Sequence, residues 1–158
     1  MTITHAVESW IEAPLARFVE EARVTIALLL LPSGQVLAQH GFTRSLDVAA
    51  ACALAAAINA SGGELGKMLD GRPFSGLHHA GQQRQIFMAE ARTPRGSYIF
   101  LTVFDQESSL GLVRLYFDEF VTELAAAAPV GEATTGPALA EHFEQDLNRN
   151  LAALFGRG

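Results

Sequence analysis

The spacing of hydrophobic residues divides the chain into helices and strands. Residues 4–22 place large apolar side chains three and four positions apart, which predicts a helix that begins near Pro14 or bends there. The run VTIALLLL, ended by PSG and followed by QVLAQHG, predicts a β-hairpin whose turn uses the conformational freedom of Gly34. Three further strand-like runs, FSGLHHAG, RQIFMAEAR and SYIFLTVF, are joined by short turns and are expected to be antiparallel neighbours.

The segment between the hairpin and the third strand, SLDVAAACALAAAINASGGELGKML (residues 45–69), predicts a helix rich in alanine. Ser45 is the expected N-cap, and the pair Gly62 and Gly63 is expected to weaken or break the helix. On a helical net the larger apolar residues form one stripe and the alanines form an adjacent one. We expect the larger stripe to pack on the sheet; it contains Leu54, Ile58, Leu65 and Leu69.

The remaining pattern predicts two more helices separated by a linker. Residues 109–127 repeat apolar positions at helical spacing, residues 129–137 are rich in turn formers, and residues 138–158 carry another apolar stripe. The predicted fold class is therefore α+β, with helices covering the faces of a five-stranded antiparallel sheet. We expect one domain over residues 1–128, a linker over 129–137 and a C-terminal amphipathic helix over 138–158.

Composition and charge remove several classes of function. A chain of 158 residues, 49% of them hydrophobic, is large enough for one well-packed domain. A formal charge of −6 and scattered basic residues argue against nucleic-acid binding, which needs a concentrated positive face. Cys52 is the single cysteine, so an intramolecular disulfide and a multi-cysteine zinc site are excluded, and a small buried side chain is expected. Without a leader-like N-terminus or an apolar run long enough to span a bilayer, a cytoplasmic protein with no membrane insertion is expected.

Residues capable of chemistry are present, but not in catalytic or metal-binding arrangements. Gly66 and Lys67 look like the end of a phosphate-binding loop, yet the earlier glycine and the following Ser or Thr of that motif are missing. His78 and His79 are adjacent in a predicted strand, so their side chains point to opposite faces and cannot share one metal ion. The sequence predicts a protein that is not an enzyme and that needs no metal ion or cofactor.

The alanine stripe predicts self-association. Small side chains let a second helix approach closely, and the same helix of a second subunit, related by a two-fold axis, is the expected occupant. The alternative is that alanine serves only helix propensity or a tight contact within the chain. The predicted dimer interface contains Ala49, Ala53, Ala56 and Ala60.

The order of elements resembles the Roadblock/dynein light chain domain family, and within it the MglB group. The resemblance is carried by ALLLLPSGQVLAQHG, by the small-residue helix and by FLTVFDQESSLGLVRLYFDEFVTELA, and it spans about residues 10–155. It implies an α/β/α sandwich and a homodimer in which the second helix and the strand near residues 74–79 pair with their copies. Phe74, Leu77 and His78 therefore join the predicted interface.

The same resemblance implies a function. MglB-like dimers are GTPase-activating proteins that rearrange a Ras-like small GTPase of the MglA type instead of donating an arginine finger to it. Their C-terminal helix is implicated in a second contact with the GTPase, here through Phe143, Leu147, Leu151 and Leu154. The leading expectation is a homodimeric, non-enzymatic regulator of a small GTPase, which acts as a protein-binding platform in cell polarity or motility.

Two other functions are alternatives to GTPase regulation. A dimeric scaffold or adaptor would use the same surface to hold other proteins without accelerating hydrolysis, and nothing in the sequence excludes it. A small-ligand sensor would need an internal pocket, but the apolar residues suffice to fill the core and no polar cluster converges on a cavity. The adaptor is therefore the alternative to the GTPase-activating regulator.

Overall fold

Antiparallel strands form one sheet that separates two helical layers in a computed structural model, which describes residues 5–42, 44 and 46–129. The elements are β1 (His5–Ala6), a 3-10 turn (Ser9–Ile11), α1 (Glu12–Ala22), β2 (Ile26–Leu30), β3 (Val36–Gly41), α2 (Val48–Asp70), β4 (Gly76–Ala80), β5 (Gln85–Thr93), β6 (Gly96–Phe104) and α3 (Leu110–Ala127). The strand order is β1-β3-β2-β6-β5-β4, and every neighbouring pair is antiparallel. The predicted α+β sandwich is confirmed.

The N-terminal part of the chain differs from its prediction. Residues 5 and 6 form the short strand β1 on the outer side of β3, and α1 begins at Glu12, so the alternative of a longer helix that bends at Pro14 is wrong. Pro14 lies in the first turn of α1, where the N–H that proline lacks has no helical partner to lose. The expected position of Pro14 near the start of the helix is confirmed.

The β2–β3 hairpin has the predicted turn. Gly34 adopts a φ of 95° and donates its N–H to the carbonyl oxygen of Leu31 over 2.8 Å. A Cβ atom at Gly34 would lie 3.3 Å from the Cα of Ala53 and 3.7 Å from the Cβ of Ala56. The hairpin turn therefore lies directly against α2.

One face of the sheet is covered by α1 and α3 through a cluster of phenylalanine rings. The ring of Phe18 meets that of Phe100 edge-on, with centroids 4.8 Å apart, and both lie within 6 Å of Phe120. At the surface of this layer Arg17 of α1 and Glu123 of α3 form an ion pair of 2.8 Å. The Ser109 hydroxyl caps α3 by accepting a hydrogen bond from the N–H of Leu112.

The other face of the sheet is covered by α2, which packs through small side chains. Cys52, Ala55 and Ala56 are buried against apolar residues of the central strands, which include Leu28, Leu30, Met88, Ile99 and Leu101. The expectation that the larger stripe of α2 packs on the sheet is wrong, because its residues are exposed. Those exposed residues are Leu54, Ile58, Leu65 and Leu69.

The ends and the middle of α2 also differ from prediction. The N-cap is Asp47, whose carboxylate accepts a hydrogen bond from the N–H of Ala50, and not Ser45. The helix runs unbroken through Gly62 and Gly63 to Asp70, so the expected weakening or break at these glycines is wrong.

Among the described helices, α2 is the one long and apolar enough to cross a membrane by length and composition alone. Its high hydropathy reflects the alanines, and one side of it is buried against the protein's own sheet.

The predicted linker over residues 129–137 and the predicted C-terminal helix over residues 138–158 lie outside the described residues, apart from Pro129. The compact unit that contains the sheet ends at Ala128.

Two glycines of α2 should respond in opposite ways to the same substitution. A Cβ atom at Gly62 has no neighbour within 4 Å, so Gly62→Ala should stabilise the protein by about 0.5–1 kcal/mol through helix propensity. A Cβ atom at Gly66 would lie 2.5 Å from the backbone nitrogen of Phe74, so Gly66→Ala should destabilise the protein by about 1–3 kcal/mol. Urea unfolding of the two variants measures both effects. Equal changes in stability would contradict the described approach of the chain to Gly66.

Candidate subunit interface

The largest unpartnered apolar feature of the described domain is one flank of α2. Leu54 is 65% exposed and Leu65 is 49% exposed, although both belong to a helix whose opposite side is buried. Ile58 of this flank lines a crevice with Phe74 and Leu77, so the flank points toward β4. We call Leu54, Ile58, Leu65 and Leu69 the leucine flank.

The rotation of α2 about its axis explains why large residues are exposed. Successive residues of a helix are separated by roughly 100°. Ala53 and Ala56 lie on the side that the Gly34 turn approaches, and Cys52 faces the sheet. Leu54 lies about 200° from Cys52 around this helix. The large side chains are therefore directed away from the sheet, and Ile58 among them also lines the crevice beside β4.

The strand beside the leucine flank is an edge strand. In the described part of the chain, β4 pairs with β5 on one side only, and four of its five residues are exposed. Its outward N–H and C=O groups are therefore available to another strand. Leu77 points to the α2 face, where it packs against the core under α2. His78 points to the other face, where its ring stacks on that of Phe104 at a centroid distance of 6.2 Å.

The crevice between α2 and β4 is too small for a ligand. It holds about 20 Å³, which is room for about one water molecule, and Gly62 and Gly63 form part of its wall. Ile58, Phe74, Leu77 and Met88 line it together with Asn59 and Ser75. The site therefore has the character of a protein-binding surface rather than of a small-molecule pocket.

Solved structures with this arrangement of elements identify the fold family. Myxococcus xanthus MglB matches with a TM-score of 0.68 and 26% identity, over 76% of this chain and 95% of MglB. A structure described as MglB with a tetrameric arrangement matches with a TM-score of 0.66 and 23% identity, over 77% of this chain and 91% of that one. The Roadblock/LC7 domain from Streptomyces avermitilis matches with a TM-score of 0.62 and 18% identity, over 70% of this chain and 91% of that chain. The protein has the Roadblock fold. No family model and no curated protein matches the sequence.

The Roadblock domain places the predicted interface residues in different surroundings. Ala49, Ala53 and Ala60 are exposed, and Phe74 and His78 lie at or beside the free sheet edge with Leu77 half-buried. Ala56 is buried, and the nearby Gly34 turn accounts for its small size by a contact within the chain. The predicted GTPase-binding residues Phe143, Leu147, Leu151 and Leu154 lie outside the described residues.

The position of the leucine flank was predicted incorrectly from the sequence, which placed it on the sheet. Both stripes were visible in the sequence, but residue size suggested the wrong one for the sheet. The signal that points the other way is the glycine in the hairpin turn, because a turn that lies on a helix requires small residues beneath it.

The described residues contain no cluster of three or more His, Cys, Asp or Glu side chains that could hold a metal ion. The Cys52 thiol is fully buried between α2 and the sheet, and burial raises its pKa, which keeps it protonated and unreactive. Cys52 is therefore the small buried side chain that the sequence predicted.

Cys52 should report on the attachment of α2 to the sheet. In native protein a thiol-specific reagent should label Cys52 at least about a hundredfold more slowly than in denaturant, because labelling requires α2 to lift from the sheet. Mass spectrometry after timed labelling measures this ratio. Labelling at similar rates in both conditions would show that α2 is not held as described.

Proposed function

We propose that the protein is a homodimeric regulator of a Ras-like small GTPase and that it accelerates GTP hydrolysis by that GTPase without catalytic residues of its own. The observation that carries the proposal is the exposed leucine flank beside a free sheet edge, in a domain similar to MglB. A cytoplasmic location belongs to the same proposal.

The leucine flank and β4 together support the homodimer. If β4 pairs with its own copy, the sheet continues from one subunit into the next, and the α2 helices of both subunits come together on one face. Large apolar side chains such as Leu54 and Leu65 would then leave water, which contributes about 1.5–3 kcal/mol for each one fully buried. One of the similar structures is described as MglB with a tetrameric arrangement, which is in keeping with self-association.

A GTPase regulator of this kind acts through its surface. A domain without a metal cluster or activated nucleophile among its described residues can still accelerate hydrolysis by binding more tightly to a GTPase conformation that is close to the transition state. The dimer presents two copies of each surface, and Phe143, Leu147, Leu151 and Leu154 remain the proposed second contact with an MglA-type GTPase.

Substitution of the leucine flank should dissociate the dimer. Leu54→Glu would place a carboxylate in the apolar contact and should weaken the dimer by at least about a hundredfold, since an unpaired buried charge costs about 3–5 kcal/mol. Leu115→Glu is the matched control, because Leu115 is 54% exposed on α3, on the other side of the sheet. Light scattering with size-exclusion chromatography measures both masses over a range of concentrations. A Leu54→Glu protein as dimeric as the Leu115→Glu protein would refute this interface.

The regulatory activity should appear in single-turnover hydrolysis. Addition of the protein should accelerate GTP hydrolysis by its cognate MglA-like GTPase at least about tenfold, which corresponds to about 1.4 kcal/mol of barrier. The Leu54→Glu protein should lose this effect, and the Leu115→Glu protein serves as the folded control. Pull-downs with the GTP and GDP states measure binding separately. Selective binding to the GTP state without acceleration would replace the activator with an adaptor, and no binding in either state would refute the GTPase partner.

A further inference from the structure

We propose that β1 is a removable edge strand that covers a second self-pairing surface, the outer edge of β3, and thereby limits assembly to the dimer. When β1 detaches, the strand that takes its place is β3 of a second copy of the chain. The limit on assembly rests on the proposed dimer through β4, whereas the pairing of β3 does not.

The backbone of β3 directs hydrogen-bonding groups to its outer edge. Phe42, directly after β3, donates its N–H to the carbonyl oxygen of Thr25 on the β2 side over 3.0 Å. Because successive residues of a strand alternate in direction, the N–H and C=O groups of Gln39 face the other way. The carbonyl oxygen of Leu37 also faces outward, since it accepts the N–H of Val7 over 2.8 Å.

A second copy of β3 fits the same groups that β1 occupies. Two copies related by a two-fold axis pair as antiparallel strands. In the register centred on Ala38, Leu37 of each copy lies opposite Gln39 of the other. The N–H of Gln39 can then donate to the carbonyl oxygen of Leu37, which is the acceptor that Val7 uses within one chain. β1 and a second β3 therefore exclude each other.

The side chains of β3 offer no protection against such pairing. The strand Val36–Gly41 contains no lysine, arginine, aspartate, glutamate or proline, the residues with which proteins commonly block an exposed edge. β1 replaces this edge with one of only two residues, His5–Ala6, and a very short edge strand gives a partner few groups to pair with. The protection of β3 therefore depends on β1.

Few contacts hold β1 in place. Ala6 packs against the core beneath α1, but Val7 is 68% exposed. Glu8 forms an ion pair of 3.8 Å with Arg95 of the β5–β6 turn, and 43% of the Glu8 side chain is exposed. A short segment with so little buried surface opens locally at a low cost in free energy. β1 can therefore detach while the rest of the sheet stays folded.

The positions of the two edges make this cover important. The strand order places β4 at one edge of the sheet and β3, beneath β1, at the other. A dimer paired through β4 still carries a β3 edge at each end of its continuous sheet. Pairing of those edges would join dimers into a row with no closed end, because each added dimer brings another β3 edge. β1 thus separates a closed dimer from an open polymer.

The test removes the hydrogen bond between β1 and β3 in the full chain. Val7→Pro lacks the N–H that binds Leu37 and loses little packing, because Val7 is exposed. Its mass by sedimentation velocity should rise beyond the dimer as concentration increases, whereas the unmodified protein and the control Val7→Ala should stay dimeric. Addition of Gln39→Pro should return Val7→Pro to the dimer, because it removes the outward N–H of β3. Thermal melts confirm that the variants are folded.

Hydrogen exchange tests the detachment of β1 without any substitution. The amide of Val7 should exchange at least about a hundredfold faster than the amides of the central strand β2, because it is released by local opening. Equal protection of Val7 and β2 would show that β1 leaves only when the whole domain unfolds, which would overturn the proposal.

The outcomes separate the edge strand from the dimer. A folded Val7→Pro protein no larger than the unmodified one overturns the role of β1 and leaves the dimer through β4 intact. Growth that persists after addition of Gln39→Pro also overturns it, because such growth does not use the β3 edge. An unmodified protein that is monomeric, with Val7→Pro growing only to a dimer, supports the role of β1 and refutes the dimer through β4.

Discussion

The packing of this domain depends on how closely the β2–β3 hairpin turn approaches α2. The turn lies so near the helix that a single methyl group at Gly34 would be 3.3 Å from the backbone of Ala53. Ala53 and Ala56 lie on the side of α2 that the turn approaches, while Cys52 and Ala55 meet the sheet. The large side chains of α2 are directed away from the sheet, where Leu54, Leu65 and Leu69 are left exposed. The exposed apolar surface is thus a consequence of a tight contact elsewhere in the same chain.

Most of the sheet could be predicted because its signals are local. The apolar runs, the glycine in the hairpin turn and the short connections between the last three strands are each contained within about ten residues. The strand β1 gave no such signal, because two residues form it and its partner β3 is about thirty positions away. Asp47 and Ser45 are both good N-cap residues, and local preference could not choose between them.

The candidate interface was harder to predict because it depends on contacts between distant residues. A helical net gives the angles between residues of α2, but it does not show which side of the helix packs on the sheet. The deciding contact joins Gly34 to Ala53, nineteen positions apart in the sequence, so the pattern within α2 alone does not report it. The opposite directions of His78 and His79 follow from strand geometry alone. Their position on an edge strand follows from the strand order, which the sequence alone does not give.

The two helical layers place different constraints on how the sequence can change. Phenylalanine rings pack on one another between the sheet and the layer formed by α1 and α3. A substitution there therefore alters the folding stability of the chain itself. The leucine flank of α2 contributes little to the core of its own domain, and its residues can change without unfolding it. The buried side of α2, where the hairpin contact lies, thereby separates the residues that determine folding from those of the proposed interface.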